Sequence, residues 1–341
     1  MEQGKATAAV EDVLQWLGGL EVGEGLAHEG MTVFAVRPGA NGDGAASLEY
    51  GTLAEGIAEG WLRVSERPSA SVPELVLVNR GQMMALILDG EEIVGGKQNR
   101  IVNASFLVGA GSEVLLPVSC VEHGRWHDVS PVFAAGEASP HSLKREKYQQ
   151  VNASLRSTGR AEADQGAIWD HLARREVEFG QHSATGAMNE IYHSRDEVLA
   201  GFERLLPYQE GAIGLVAALN GKLAGADLFD QPRTARVVWG KLVRSYALDA
   251  LGKEPGAPVV KDRAAKLLAR FKGARGEVYP SLALGEDVRL QGDGAVGSAL
   301  VHQGTPVHVS LFRTYRNGAS ASGRMASASA RRNLRRDLLI R

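Results

Sequence analysis

Three segments of the chain place a β-like run, an X-Gly turn and a second β-like run in the same order: ALILDGEEIVGG, VAALNGKLAGA and ALVHQGTPVHV. Asp-Gly and Asn-Gly supply the positive φ that a tight primed turn needs, so these segments read as β-hairpins. Hairpins pair their strands antiparallel, whereas a parallel doubly wound sheet needs long helical crossovers. The expected fold class is therefore α+β, with antiparallel hairpin-built sheets and packed helices. Hairpin building alone produces such recurrence, and an internal duplication would give the same order. The 41 glycines favour the many tight turns of a β-rich fold.

Taken in order, residues 10–17 repeat apolar positions with helical spacing and stop at Gly18-Gly19. Residues 31–36 alternate as a strand, a loop follows over 38–44, and a returning strand is expected near Leu48 and Tyr50. A short helix at 53–58 and strands at 62–65 and 75–78 precede the hairpin at 85–94. Strands at 100–108 and 114–121 flank a Gly109-Ala110-Gly111 turn. After Phe133 the pattern turns helical: Ser139-Pro140 suits a helix start, and Ser194 with Glu197 has the form of a capping box. Strands return at 213–219 and 224–229, helices follow over 232–252 and 260–273, and four strands complete the pattern by residue 312. One compact domain is expected over 1–312, β-rich at 28–130, a helical layer at 139–206, and mixed at 211–312. From Arg313 to Arg341 there are eight Arg and one Asp, a balance of +7 that leaves −9 for the rest of a chain of net charge −2. That Arg-, Ala- and Ser-rich tail has little apolar surface to bury, and disorder is expected there.

A net charge of −2 gives the whole molecule no bulk attraction for nucleic acid or an anionic membrane. The single cysteine, Cys120, excludes an intramolecular disulfide framework and an all-Cys zinc site, and fits a reducing cytosol. No secretory leader pattern opens the sequence, and no 18-residue apolar window suggests a membrane helix, so a cytoplasmic protein is expected. In that setting the sequons at Asn103 and Asn152 carry no glycosylation meaning. Gly292-Asp293-Gly294-Ala295-Val296-Gly297 matches G-x-G-x-x-G, but a strand follows it and no acidic residue lies between Gly297 and Asp337. A turn between strands is the better reading. Gly90 and Gly95 have P-loop spacing, but Lys97 falls one place late and Gln98 replaces Ser/Thr. His123 and His127 lack a third metal ligand nearby, so loop histidines are expected rather than a metal site. Cys120 ends an apolar run, where a structural thiol is commoner than a nucleophile.

The densest polar set lies between the strands of residues 85–126. It comprises Glu91, Glu92, Lys97, Gln98, Asn99, Arg100 and Asn103, then Glu122 and Arg125. Lys97 and Arg100, three apart with amides between them, suit a phosphate or carboxylate. Asn99 and Asn103 would orient the anion, with Gln98 and Arg125 as further ligand contacts. Glu92 or Glu122 would act as general acid/base. A charged hairpin end held by structural ion pairs is the competing reading. Asn220, Asp227 and residues 241–246 are weaker contributors from the later hairpin and helix.

The run EEIVGGKQNRIVN followed by SCVEHGRW resembles the ARG and rhodanese-phosphatase superfamily associated protein domain family. The YALDAL run and GSALVHQGTPVHVSLF are also similar, so the resemblance spans most of residues 10–312. His123 stands where the family pattern has Gln, so it takes no inherited role. The resemblance implies association with ADP-ribosylglycohydrolases and phosphatases, and hence an ADP-ribose-like or other nucleotide-like ligand. No cofactor is named by the residues. The expected function is binding or processing of a phosphate-bearing nucleotide derivative, a small anionic ligand. The alternatives are a non-catalytic ligand-binding or adaptor module, and weak nucleic-acid association through the Arg-rich tail.

Overall fold

A computed structural model of the chain describes residues 2–40, 48–67, 73–130, 132–181 and 183–314. The basic tail expected to be disordered, apart from Arg313 and Thr314, and most of the loop at 38–44 lie outside the described residues. The N-terminal half runs α1 (Glu2–Gly18), β1 (Leu20–His28), β2 (Met31–Pro38), β3 (Tyr50–Thr52), α2 (Leu53–Ala58), β4 (Leu62–Ser65) and β5 (Glu74–Asn79). It continues through β6 (Met84–Ile87), β7 (Glu91–Val94), β8 (Arg100–Val102), β9 (Phe106–Val108), β10 (Glu113–Cys120) and β11 (Ala134–Ala138). Four helices follow: α3 (His141–Thr158), α4 (Gln165–Phe179), α5 (Met188–His193) and α6 (Asp196–Leu205). The last part is β12 (Gly214–Leu219), β13 (Lys222–Phe229), α7 (Pro232–Ala250), α8 (Lys261–Ala269), β14 (Arg275–Pro280), β15 (Glu286–Gly292), β16 (Ala295–His302) and β17 (Thr305–Arg313).

The fold is α+β. Eight antiparallel strands form the larger sheet in the order β1-β2-β12-β13-β17-β16-β15-β14. Alternation along β2 and β12 sets its two faces. Met31, Val33, Ala35, Leu215 and Ala217 face α6 and α7, and Phe34, Val36, Val216 and Ala218 face α1 and α8. A six-stranded sheet, β11-β7-β8-β10-β5-β4, and a three-stranded one, β3-β6-β9, make up the N-terminal β region. Leu86, Ile101 and Leu107 from these sheets join the core of α5, α6 and α7, so both β regions share one apolar interior. No helix of the described residues is long and apolar enough to cross a membrane.

The second and third X-Gly segments are the hairpins β12–β13 and β16–β17, with Asn220-Gly221 and Gln303-Gly304 at positive φ. The first is not a hairpin. β6 pairs with β3 and β9, and β7 pairs with β8 and β11, so the Asp89-Gly90 turn is a corner between sheets. Gly90 takes φ 78°, its amide donates to Val102 O at 2.9 Å, and its carbonyl accepts from the Ser139 amide at 2.7 Å. The Asp89 carboxylate is held by Lys147 of α3. The expected strand at 100–108 is likewise split, because the chain leaves one sheet after Val102 and enters another at Phe106. β3 does not return on β2 but lies parallel to β6. Ser194 does not cap α6, since its hydroxyl donates back to Ile191 O. A full capping box instead closes α2, between Thr52 and Glu55.

Candidate functional site

The GGKQNR segment leaves β7 and enters β8 through glycines at positive φ, Gly95 at 134° and Gly96 at 52°. The loop folds onto the end of β10, where Gln98, Asn99, Glu122 and Arg125 meet, all buried. Arg125 donates to Glu122 Oε1 at 2.8 Å, to Asn99 Oδ1 at 3.0 Å and to Gly96 O at 2.6 Å. The Asn99 amide donates to Glu122 Oε2 at 3.0 Å, and Gln98 Nε2 donates to Glu122 O at 2.8 Å. Burial pushes the Glu122 carboxyl up, but the Arg125 and Asn99 hydrogen bonds outweigh it and hold the group below its ordinary value. These groups satisfy one another, so the network braces its own loop.

The neighbouring residues of this stretch make further contacts of their own. Arg100 is fully buried with Glu66 Oε1 at 3.9 Å, and burial pulls its guanidinium down from its ordinary value. Asn103 bridges Ala161 O at 3.1 Å and the Ser119 hydroxyl at 2.8 Å. The Lys97 ammonium lies 5.6 Å from the centre of the exposed Trp126 ring. Cys120 donates to Gln98 Oε1 at 3.1 Å, and burial pushes its thiol up to about 11, far from a thiolate at neutral pH. Glu92 differs from all of these. It is fully buried and, among the described residues, its Oε1 has no hydrogen-bond partner and its Oε2 accepts only the long Glu137 amide bond at 3.3 Å. Burial raises its pKa to about 8.

Open space with chemistry on its walls lies at the start of α3. A cavity of about 580 Å3 opens at the start of α3, between α3, α4 and the end of α7. Arg145, Arg174, Arg175 and Lys253 line it, with Ser142, Glu146, His171 and Asp249. A second cavity, of about 320 Å3, shares Ser142, Arg145, Asp249 and Lys253 with the first and extends over Leu219, Leu223 and Ala224 of the β12–β13 hairpin. Together they form a two-lobed groove, one lobe charged and the other partly apolar.

The groove wall is tightly wired. Asp249 accepts the Ser142 amide at 2.5 Å, the Ser142 hydroxyl at 2.6 Å and Arg175 at 2.7 Å. His171 reaches Ser142 Oγ through Nε2 at 3.2 Å and Glu146 Oε2 through Nδ1 at 3.0 Å. The His171 hydrogen bond is the main cause holding Glu146 below its ordinary carboxylate value. An ionised carboxylate only accepts, so Nδ1 carries the proton; the single Ser142 hydroxyl proton then has two alternative acceptors, Asp249 Oδ1 and, in a neutral ring, the Nε2 lone pair. His141 lines the second lobe, 4 % exposed, and neither ring nitrogen has a hydrogen-bond partner among the described residues. It stacks on Tyr246 with ring centres 4.6 Å apart, and burial lowers its pKa to about 4. Gly225 lets it fit, since a Cβ there would lie 2.6 Å from the His141 ring. The described residues contain no group of three or more His, Cys, Asp or Glu able to hold a metal.

The pattern of the ARG and Rhodanese-Phosphatase-superfamily-associated Protein domain matches residues 19–312. The chain belongs to this family. No curated protein and no solved structure matches it. The family match takes in both the GGKQNR network and the groove.

Of the residues expected from sequence, Gln98, Asn99, Glu122 and Arg125 are brought together, whereas Asn103, Arg100, Lys97 and Glu92 each meet other partners. Ser142, Arg145, Glu146, His171 and Lys253 were not singled out by sequence reasoning, and Asp249 entered only within the YALDAL run. One signal was present. Ser142 and Glu146 are four apart at the head of a helix, and so share a face.

Proposed function

We propose that the protein binds or processes a phosphate-bearing nucleotide derivative, of which ADP-ribose is the type, in the two-lobed groove. The observation that carries this reading is the joining of the lobes through Ser142, Arg145, Asp249 and Lys253. A cation-rich lobe suits phosphate oxygens, and guanidinium groups suit them better than ammonium groups because they donate in parallel pairs. Arg145 is the cation best placed to do so: among the described residues it has no carboxylate within ion-pair distance, and it lines both lobes. The partly apolar lobe offers Leu219, Leu223 and the unpartnered imidazole of His141 to a ring that carries its own donors and acceptors. The family name records association with ARG and rhodanese-phosphatase superfamily proteins, which agrees with such a ligand.

Titration calorimetry with ADP-ribose and AMP tests the reading on wild type, Arg145→Ala and Lys97→Ala. Loss of one charge-assisted contact is expected to weaken ADP-ribose binding roughly tenfold or more in Arg145→Ala, with Lys97→Ala near wild type. The reverse pattern would place the anion at GGKQNR, and no binding by any of the three chains would sink the reading. A second reading, a non-catalytic adaptor module, is favoured by exposed Trp126, Val129 and Val132 in the loop beside Lys97. On that reading ADP-ribose binds saturably and no product forms in a sensitive assay.

A further inference from the structure

The floor between the lobes carries a chain of three groups in an order that chemistry recognises. Ser142 Oγ, His171 Nε2 and Nδ1, and Glu146 Oε2 are linked at 3.2 and 3.0 Å. The serine lines both cavities, so a bond joining the anionic end of a ligand to its ring end would lie across it. We propose that Ser142 is a nucleophile, His171 its general base and Glu146 the residue that positions the imidazole, in hydrolysis of a phosphoester or phosphoanhydride bond of a ligand held across the groove. This rests on the groove being the binding site.

The step balances with water as the only co-reactant. Ser142 Oγ forms a bond to phosphorus as the bond from phosphorus to the leaving oxygen breaks, and that electron pair stays on the leaving oxygen. The serine proton passes to His171 Nε2 and then to the leaving oxygen. Water then attacks the phosphoseryl group, gives its proton to His171, and the Oγ–phosphorus bond breaks as Ser142 recovers a proton. Arg145, which lines both lobes, is placed to stabilise charge on the phosphoryl oxygens. Asp249 Oδ1 competes for the same serine proton at 2.6 Å. When that proton moves to His171, Asp249 keeps the Ser142 amide and the Arg175 guanidinium as donors. The transfer therefore orphans no carboxylate.

A fluorophosphonate, which loses fluoride to an activated serine, is the probe. The full chain is incubated with it and the adduct located by peptide mass spectrometry. The expected result is an adduct on Ser142, absent in Ser142→Ala. Its rate should fall on the order of 100-fold in His171→Gln, as loss of a general base predicts, and less in Glu146→Gln. ADP-ribose binding measured on the same variants shows that the groove is intact. Absence of a Ser142 adduct in a chain that binds ADP-ribose overturns this inference and leaves the binding reading standing. An undiminished rate in His171→Gln also overturns it and makes Asp249 the base. Protection of Ser142 by ADP-ribose supports both, whereas a His171-dependent adduct in a chain that binds no ADP-ribose supports the nucleophile and removes the proposed ligand.

Discussion

Glu92 is the residue whose environment most nearly contradicts its chemistry. Burial dominates its raised pKa. The Glu137 and Glu122 charges add to it, and the Glu137 amide and Lys241 work against it. The folded value of about 8 lies above the ordinary 4.5, so the fold keeps a proton that the unfolded chain releases between those two values. The resulting stability is complete below the lower value and is lost as pH rises through the window, at roughly 1.4 kcal/mol per unit. Glu92→Gln is isosteric and cannot ionise. Urea midpoints taken from pH 5 to pH 8 are therefore expected to fall for wild type relative to Glu92→Gln, the other titrating groups being common to both chains. The gap should widen by roughly 3–4 kcal/mol between pH 5 and pH 8. Parallel curves would mean that Glu92 is ionised in the fold. If Glu92 exchanges a proton with a ligand, as expected from sequence, the same variant should lose turnover while keeping ADP-ribose affinity.

Among elements, α3 has the widest influence, because it reaches both β regions and one edge of the groove. Lys147 holds Asp89 at the corner between the smaller sheets, and Lys144 meets Asp227 of β13 at 2.5 Å. Asp227 also accepts Tyr246 of α7 at 2.9 Å and Ser310 of β17 at 2.8 Å. Burial pushes this carboxyl up, but the Lys144 charge and the His308 hydrogen bond win and hold it well below its ordinary value. Lys144→Met strands a buried carboxylate, and a loss of about 3–5 kcal/mol is expected in denaturant unfolding. The double variant Lys144→Met/Asp227→Asn should recover part of it, and a cost below about 1 kcal/mol for Lys144→Met would contradict the pairing. This layer of contacts also marks where sequence reading stopped. The strand at 31–36, the helix begun by Pro232 and the turns at Asn220-Gly221 and Gln303-Gly304 were legible because period and turn chemistry are local. The partners of β6 and β7 were not, since a Gly turn permits a hairpin but competing strands decide who pairs. Side-chain constellations divide in the same way. Glu122 and Arg125, three apart, and the GGKQNR amides make a dense local run because a self-satisfying loop network draws on neighbours in sequence. Ser142 and Asp249 are separated by 107 positions and meet only through the packing of α3 on α7.

For the molecule as a whole, the +7 balance from Arg313 to Arg341 bears on the proposed binding of an anion in the groove. Arg313 and Thr314, the last described residues, line the charged lobe. Two roles for that charge differ in their dependence on salt. If the tail binds a nucleic-acid backbone, affinity for single-stranded RNA should fall steeply with salt, because each neutralised phosphate releases counterions. If it only adds to the local field around the groove, its effect is confined to ADP-ribose and is screened within about 8 Å at physiological ionic strength. Deleting residues 315–341 keeps Arg313 and the groove wall. The expected outcome is that weak, salt-sensitive RNA binding disappears while ADP-ribose affinity stays within about twofold, since few exposed charges at that range survive screening. Filter binding of RNA at two salt concentrations, with calorimetry of ADP-ribose on the same two chains, separates the roles. RNA binding that survives the deletion would assign it to the folded part, and a large loss of ADP-ribose affinity would make the tail part of the groove.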